Sequence, residues 1–130
     1  MTDPDALRAA KRELRARARA LRDAVPEEER RAMGRAVEAR LFSVPELGRA
    51  GTVLVFSSFG SEVPTAGIVD RLLREGRRVA LPRVAGGEIE ARALRPGDPM
   101  VRARFGALEP AVGEVVPPEE TPGPGQIRDI

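Results

Sequence analysis

The chain has 130 residues, 42% hydrophobic and 32% charged, the size and composition of one small soluble domain with a core rather than of a disordered tail. Its formal net charge of +2 is too small to imply bulk attraction to nucleic acid or to a membrane surface. With neither cysteine nor histidine, it has no disulfide, thiolate metal site, cysteine nucleophile or histidine base, so its chemistry falls to carboxylates, hydroxyls, backbone amides, cations or a bound metal.

No apolar run is long enough to span a bilayer and no secretory h-region follows the start, so the default expectation is a cytoplasmic protein without membrane partners. Asp3 followed by Pro4 reads as a helix N-cap with proline at the first helical position, and Leu7, Ala10, Leu14, Ala18 and Leu21 then recur at helical spacing to about Ala24. Arg8, Lys11, Arg15, Arg19 and Arg22 form a cationic stripe beside them. Lys11 is the single lysine among 22 basic residues. A compact ammonium kept where nearly every other cation is a planar fork suits a phosphate oxygen, and chance on a solvated face is the competing explanation. Pro26 before Glu27, Glu28 and Glu29 starts a second helix, with Met33, Val37 and Leu41 expected on its buried face and Ser43-Val44-Pro45 as its end.

Thr52-Val53-Leu54-Val55-Phe56 reads as a buried strand of a mostly parallel sheet. Pro64-Thr65 opens a helix with Ile68, Val69, Leu72 and Leu73 inward and Gly76 as its stop, and Arg78 to Leu81 is a second buried strand. Strand, crossover helix and strand make a βαβ unit, in which ligands lie beyond the carboxyl ends of the strands. Ser57 to Glu62 and Pro82-Arg83 both fall there. After the turn at Ala85-Gly86-Gly87-Glu88, alternation from Ile89 to Leu94 marks a further strand. Beyond Arg95 the chain reads as loop, and from Val116 to Ile130 as an unstructured Pro/Gly-rich tail.

Three segments stand in a telling order: Lys11-Arg12-Glu13-Leu14-Arg15, then Phe59-Gly60-Ser61-Glu62-Val63-Pro64-Thr65, then Val79-Ala80-Leu81-Pro82-Arg83-Val84 with Phe105-Gly106-Ala107-Leu108-Glu109-Pro110. Together they resemble the 5-formyltetrahydrofolate cyclo-ligase (methenyltetrahydrofolate synthetase) family over roughly Asp5 to Glu120. The resemblance implies an α/β fold with a mostly parallel, Rossmann-like sheet and flanking helices. It also implies ATP- and Mg2+-dependent closure of 5-formyltetrahydrofolate to 5,10-methenyltetrahydrofolate, with release of ADP and phosphate. Lys11, Arg12, Glu13, Leu14 and Arg15 match the family's ATP-contacting segment, while Ser57 and Glu62 match positions lining the folate pocket. No residue is matched as a catalytic acid, base or nucleophile, because phosphoryl transfer asks mainly for positioned cations and exclusion of water.

Other readings stand beside these. Glu62 with Thr65 also suits loop shaping and helix capping, Arg83 is either a surface arginine or a pocket cation, and Glu109-Pro110 reads as a turn. The sequence then departs from the family pattern. After Glu120 the pattern calls for an aspartate that binds metal, an apolar strand ending in Pro-Gly, and an Arg-Leu-Gly-x-Gly-x-Gly-Tyr-Tyr-Asp block that binds ATP phosphates. None is present, and the chain has no tyrosine. The expectation is therefore an incomplete cyclo-ligase domain over 1–120, a tail over 121–130, no metal ligands of its own, and no turnover by the chain alone. The alternatives are an inactive truncated remnant or an Arg-rich module binding nucleic acid or an acidic partner, the latter disfavoured by the interrupting Glu13 and Asp23.

Overall fold

The computed structural model describes residues 3–117, so the tail expected over 121–130 lies outside the described residues. Helix α1 spans Pro4–Asp23, and Asp3 accepts a hydrogen bond from the Asp5 N–H at 3.0 Å, the cap that its sequence announces. Helix α2 spans Glu27–Leu41, with three glutamates in its first turn against the helix dipole. A one-turn helix α3, Pro45–Arg49, occupies the stretch expected only to end α2. Strand β1 (Thr52–Leu54) is followed by helix α4 (Ala66–Arg74), strand β2 (Arg78–Ala85) and strand β3 (Glu88–Leu94).

The expected α/β class is borne out, and the sheet, ordered β1-β2-β3, is mixed. β1 lies parallel to β2, with Val53 opposite Val79, while β2 and β3 form an antiparallel hairpin from Val79↔Leu94 to Ala85↔Glu88. Gly86 and Gly87 both hold positive φ, +58° and +82°, as the tight hairpin turn between them requires. β2 contains Pro82, which lies past the last residue paired with β1, where no N–H is needed on that side.

The core lies between this sheet and α4: Val53, Val55, Ile68, Val69, Leu72, Val79, Leu81 and Leu94 pack together. Each such side chain contributes roughly 1.5–3 kcal/mol on burial, so this cluster is the main source of stability. The segment after Arg95 is more ordered than its sequence suggests. Strands β4 (Met100–Arg102) and β5 (Leu108–Pro110) form a short antiparallel ribbon. Val115 then bridges to Arg92 on the outer side of β3, and Val116, expected to begin a tail, is buried against Ala80 and Ala93.

The apolar stripe of α1 is open, and the expected buried face of α2 is only partly covered. Every residue of α1 is exposed, including Leu7, Leu14 and Leu21, and so are Met33 and Val37 of α2, whose only buried residue is Gly34. The helical periodicity is present. Leu41, the third residue expected on the α2 face, does pack against the core; what is missing, among the described residues, is a cover for Met33, Val37 and the α1 stripe.

Candidate functional site

The loop after β1 is tied shut by its own side chains. Thr65, expected to cap α4, makes no such cap. Its Oγ1 instead accepts from the Ser58 N–H at 3.0 Å and donates to the Phe56 carbonyl at 2.7 Å, while the Thr65 N–H donates to Ser58 Oγ at 2.9 Å. Glu62 folds back over the loop tip, its Oε1 accepting from the Phe59 N–H at 2.9 Å, with Gly60 supplying the positive φ. Ser61, buried, takes a hydrogen bond from Arg22 Nε at 2.7 Å and donates to Asp23 Oδ1, which anchors the C-terminal end of α1 to the same loop.

The β4–β5 ribbon is brought against this loop by two fastenings to β2. Arg83 Nη1 donates to the carbonyls of Pro110 and Ala111 at 3.0 and 3.2 Å, and buried Glu109 accepts from the Val84 N–H at 2.7 Å. Arg83 is thus a strut rather than a pocket cation. Glu109 satisfies a strand amide that lies beyond the reach of β1. As a result Phe105 meets Phe59 edge-to-face, with ring centroids 5.8 Å apart, and Gly106 lies so close under the Phe59 ring that a Cβ there would sit 3.2 Å from it.

Between these parts lies a cleft of about 220 Å³, at the carboxyl ends of β1 and β2, where Phe56, Ser57, Phe59, Glu62, Pro82 and Phe105 are among the lining residues. The structure therefore brings Ser57 and Glu62 together. The aromatic walls were not legible as site residues, although a signal for them exists: the chain has four aromatic residues, and three of them line this one cleft. Two carboxylates line it, Glu109, which already accepts from the Val84 N–H, and Glu62, and flat apolar walls beside a carboxylate suit a planar heterocycle carrying N–H donors.

Lys11, Arg12, Glu13, Leu14 and Arg15 lie elsewhere, in the middle of the exposed α1, roughly 10–16 Å along the helix axis from the Arg22 anchor. Lys11 and Arg15 are one turn apart and engage no described residue, so both charges are open to an anion. Among the described residues no group of three or more His, Cys, Asp or Glu side chains converges as a metal site, and no helix is long and apolar enough to cross a membrane.

Comparison with known proteins places this geometry in context. A family model described as the 5-formyltetrahydrofolate cyclo-ligase family matches residues 7–121. The 5-formyltetrahydrofolate cyclo-ligases of Escherichia coli strain K12 and of Escherichia coli O157:H7 are each 32% identical over 101 residues, covering 74% of this chain and 56% of theirs. The NMR structure of Aquifex aeolicus 5,10-methenyltetrahydrofolate synthetase matches with a TM-score of 0.75 and 32% identity, over 85% of this chain and 57% of that one. This chain thus spans little more than half the length of these relatives.

Proposed function

The chain belongs to the 5-formyltetrahydrofolate cyclo-ligase family, and from that premise we propose that its cleft is the folate-binding part of an ATP-dependent cyclo-ligase site. The observation that carries this reading is the placement of Glu62 in an aromatic-walled cleft at the strand ends. One carboxylate oxygen, Oε1, is fixed by the Phe59 amide, and in this reading Oε2 is the acceptor for the ligand. An amino-pyrimidine edge can donate to that carboxylate while its ring stacks on Phe59 or Phe105. Ser57 adds a hydroxyl at the same mouth.

In this reading the formyl oxygen takes the γ-phosphoryl group of ATP, N10 closes on the activated carbon, and phosphate leaves with ADP as the other product. Lys11 and Arg15 hold the nucleotide phosphates, a role for paired cations one turn apart. A magnesium ion would accompany the nucleotide, and the described residues supply no ligand cluster for it. A cleft of about 220 Å³ falls below the roughly 300–1,000 Å³ usual for a drug-sized ligand, consistent with one wall of a larger site.

Titration calorimetry with 5-formyltetrahydrofolate tests the reading. Glu62→Gln keeps an oxygen to accept from the Phe59 amide and removes only the charge, so the loop should survive while affinity falls. Losing a charge-assisted pair costs roughly 1.5–3 kcal/mol, about ten-fold or more in Kd. Equal affinity for the two proteins would return Glu62 to a purely loop-shaping role.

A further inference from the structure

We infer that Ser61 is a positioning residue that latches helix α1 to the Glu62 loop, so that Lys11 and Arg15 and the cleft are held in one arrangement and each responds to the other's ligand. Helix α1 needs such a fastening. All of its residues are exposed, and none is buried against the sheet or the other helices. Among the described residues, most of its hydrogen bonds and its ion pair stay within the helix or reach only the residues flanking it: Asp3 caps the start, Asp5 pairs with Arg8, and the last carbonyls are taken by Ala24 and Val25. Two bonds reach another part of the chain, and both end on the Ser61 hydroxyl.

A serine hydroxyl has one proton to give and lone pairs with which to accept. Here the proton goes to Asp23 Oδ1 while Arg22 Nε donates to the oxygen at 2.7 Å, so a neutral group stands between an anion and a cation and both bonds are charge-assisted. Arg22 and Asp23 are exposed, whereas Ser61 is buried, and burial strengthens the bonds that the hydroxyl makes. The anchor beneath it is stiff. Thr65 and Ser58 tie the loop shut, Glu62 closes its tip, and Pro64 rests on Gly34, the buried residue of α2, where a Cβ would lie 3.2 Å from Pro64 Cδ.

The helix is a lever on this anchor. The turn into α2 gives it one attachment, where Arg30 Nη2 donates to the Val25 carbonyl at 3.0 Å, and a rod with one attachment pivots. Ser61 supplies the second and sets the direction. Lys11 lies about 16 Å along the axis from Arg22, so a swing of about 20° at the latch displaces it by about 5–6 Å. Group transfer tolerates far less, since a misplacement of about 1 Å can cost roughly 100-fold in rate. Ser61 also immediately precedes Glu62, so a ligand that shifts Glu62 shifts the point from which α1 projects, and by reciprocity an anion that fixes α1 steadies Glu62. The roles given to Lys11, Arg15 and Glu62 rest on the folate and nucleotide reading above; the latch rests on the two hydrogen bonds.

The chain has no cysteine, so a pair of introduced cysteines carries spin labels uniquely. With labels on Ala9→Cys in α1 and Asp70→Cys in α4, both exposed positions, the intact latch should give one narrow distance distribution, and Ser61→Ala a distribution broader by about two-fold or more. Ser61→Thr, which keeps the hydroxyl, should be narrow again, and Arg22→Ala, a change at an exposed position, should cut the same latch from the other side. Equal widths with and without the hydroxyl would overturn the latch. Calorimetry reads its consequence: ATP should tighten 5-formyltetrahydrofolate binding by about five-fold or more in the parent chain and not in Ser61→Ala, whose affinity for each ligand alone stays within about two-fold of the parent's. No mutual effect in the parent, or an effect that survives Ser61→Ala, would overturn the positioning role. Failure of the parent to bind folate at all would sink the folate reading instead, with the distance measurement still deciding the latch.

Discussion

The two margins of the sheet are finished in opposite ways. On the β3 side the chain returns to seal its own edge: the Ala93 N–H donates to Glu114 O at 2.9 Å, the Val116 N–H donates to Ala91 O at 2.8 Å, and Val116 closes over Ala80 and Ala93. Arg95 and Glu114 add a two-armed ion pair at 2.9 and 3.0 Å on the surface, and the hydrogen bond from Arg95 holds the Glu114 carboxyl below its usual range. On the β1 side nothing among the described residues returns. Leu54 and Phe56 stay 39% and 52% exposed beside an apolar groove, and the apolar stripe of α1 is uncovered. The sealed margin holds up the cleft beside Glu62, through Arg83, Glu109 and the β4–β5 ribbon. The open margin leaves an apolar groove beside β1 uncovered among the described residues.

The largest effect expected from breaking this contrast is at Gly113, which lets the chain turn back onto β3. Its φ is +106°, and a Cβ there would lie 2.2 Å from the Ala93 carbonyl oxygen. Gly113→Ala should therefore cost roughly 3–5 kcal/mol, combining backbone strain with a backbone clash, a large share of a small domain's stability. Denaturant unfolding checks it, and a loss under about 1 kcal/mol would mean that the seal is not structural. Thr65→Ala comes next. It removes the hydroxyl that joins Ser58 to Phe56, so about 1–2 kcal/mol should be lost, with folate affinity falling as the loop loosens. A simple helix cap would instead lower stability and leave affinity unchanged. The smallest effect belongs to the open edge, where Leu54→Lys should change stability by no more than about 0.5 kcal/mol in a thermal melt, because nothing among the described residues pairs with that edge.

The same contrast explains what could be read from the residues. Helix α1 with its Asp3-Pro4 start, the Gly86-Gly87 hairpin and the βαβ order were legible because local patterns suffice for them. Strands β4 and β5, three residues each, are too short to show a period and exist through Arg83 and Glu109, contacts that close over a long stretch of chain. Met33 and Val37 carry the pattern of burial without being buried, since periodicity reports a face suited to packing and says nothing of what packs there. At the cleft, Ser57 and Glu62 are the positions the family resemblance implies, whereas the pairing of Phe59 with Phe105 depends on the tertiary return of the ribbon.

Amide exchange in the presence and absence of 5-formyltetrahydrofolate tests the central assignment most directly, because it reports the cleft and α1 in one experiment. Ligand should slow exchange across Phe59 to Glu62 and Phe105 to Ala107 and leave Lys11 to Arg15 unchanged until a nucleotide is added. Protection confined to α1, or no protection in either cleft segment at saturating ligand, would contradict the placement of the folate site between Glu62 and the two phenyl rings.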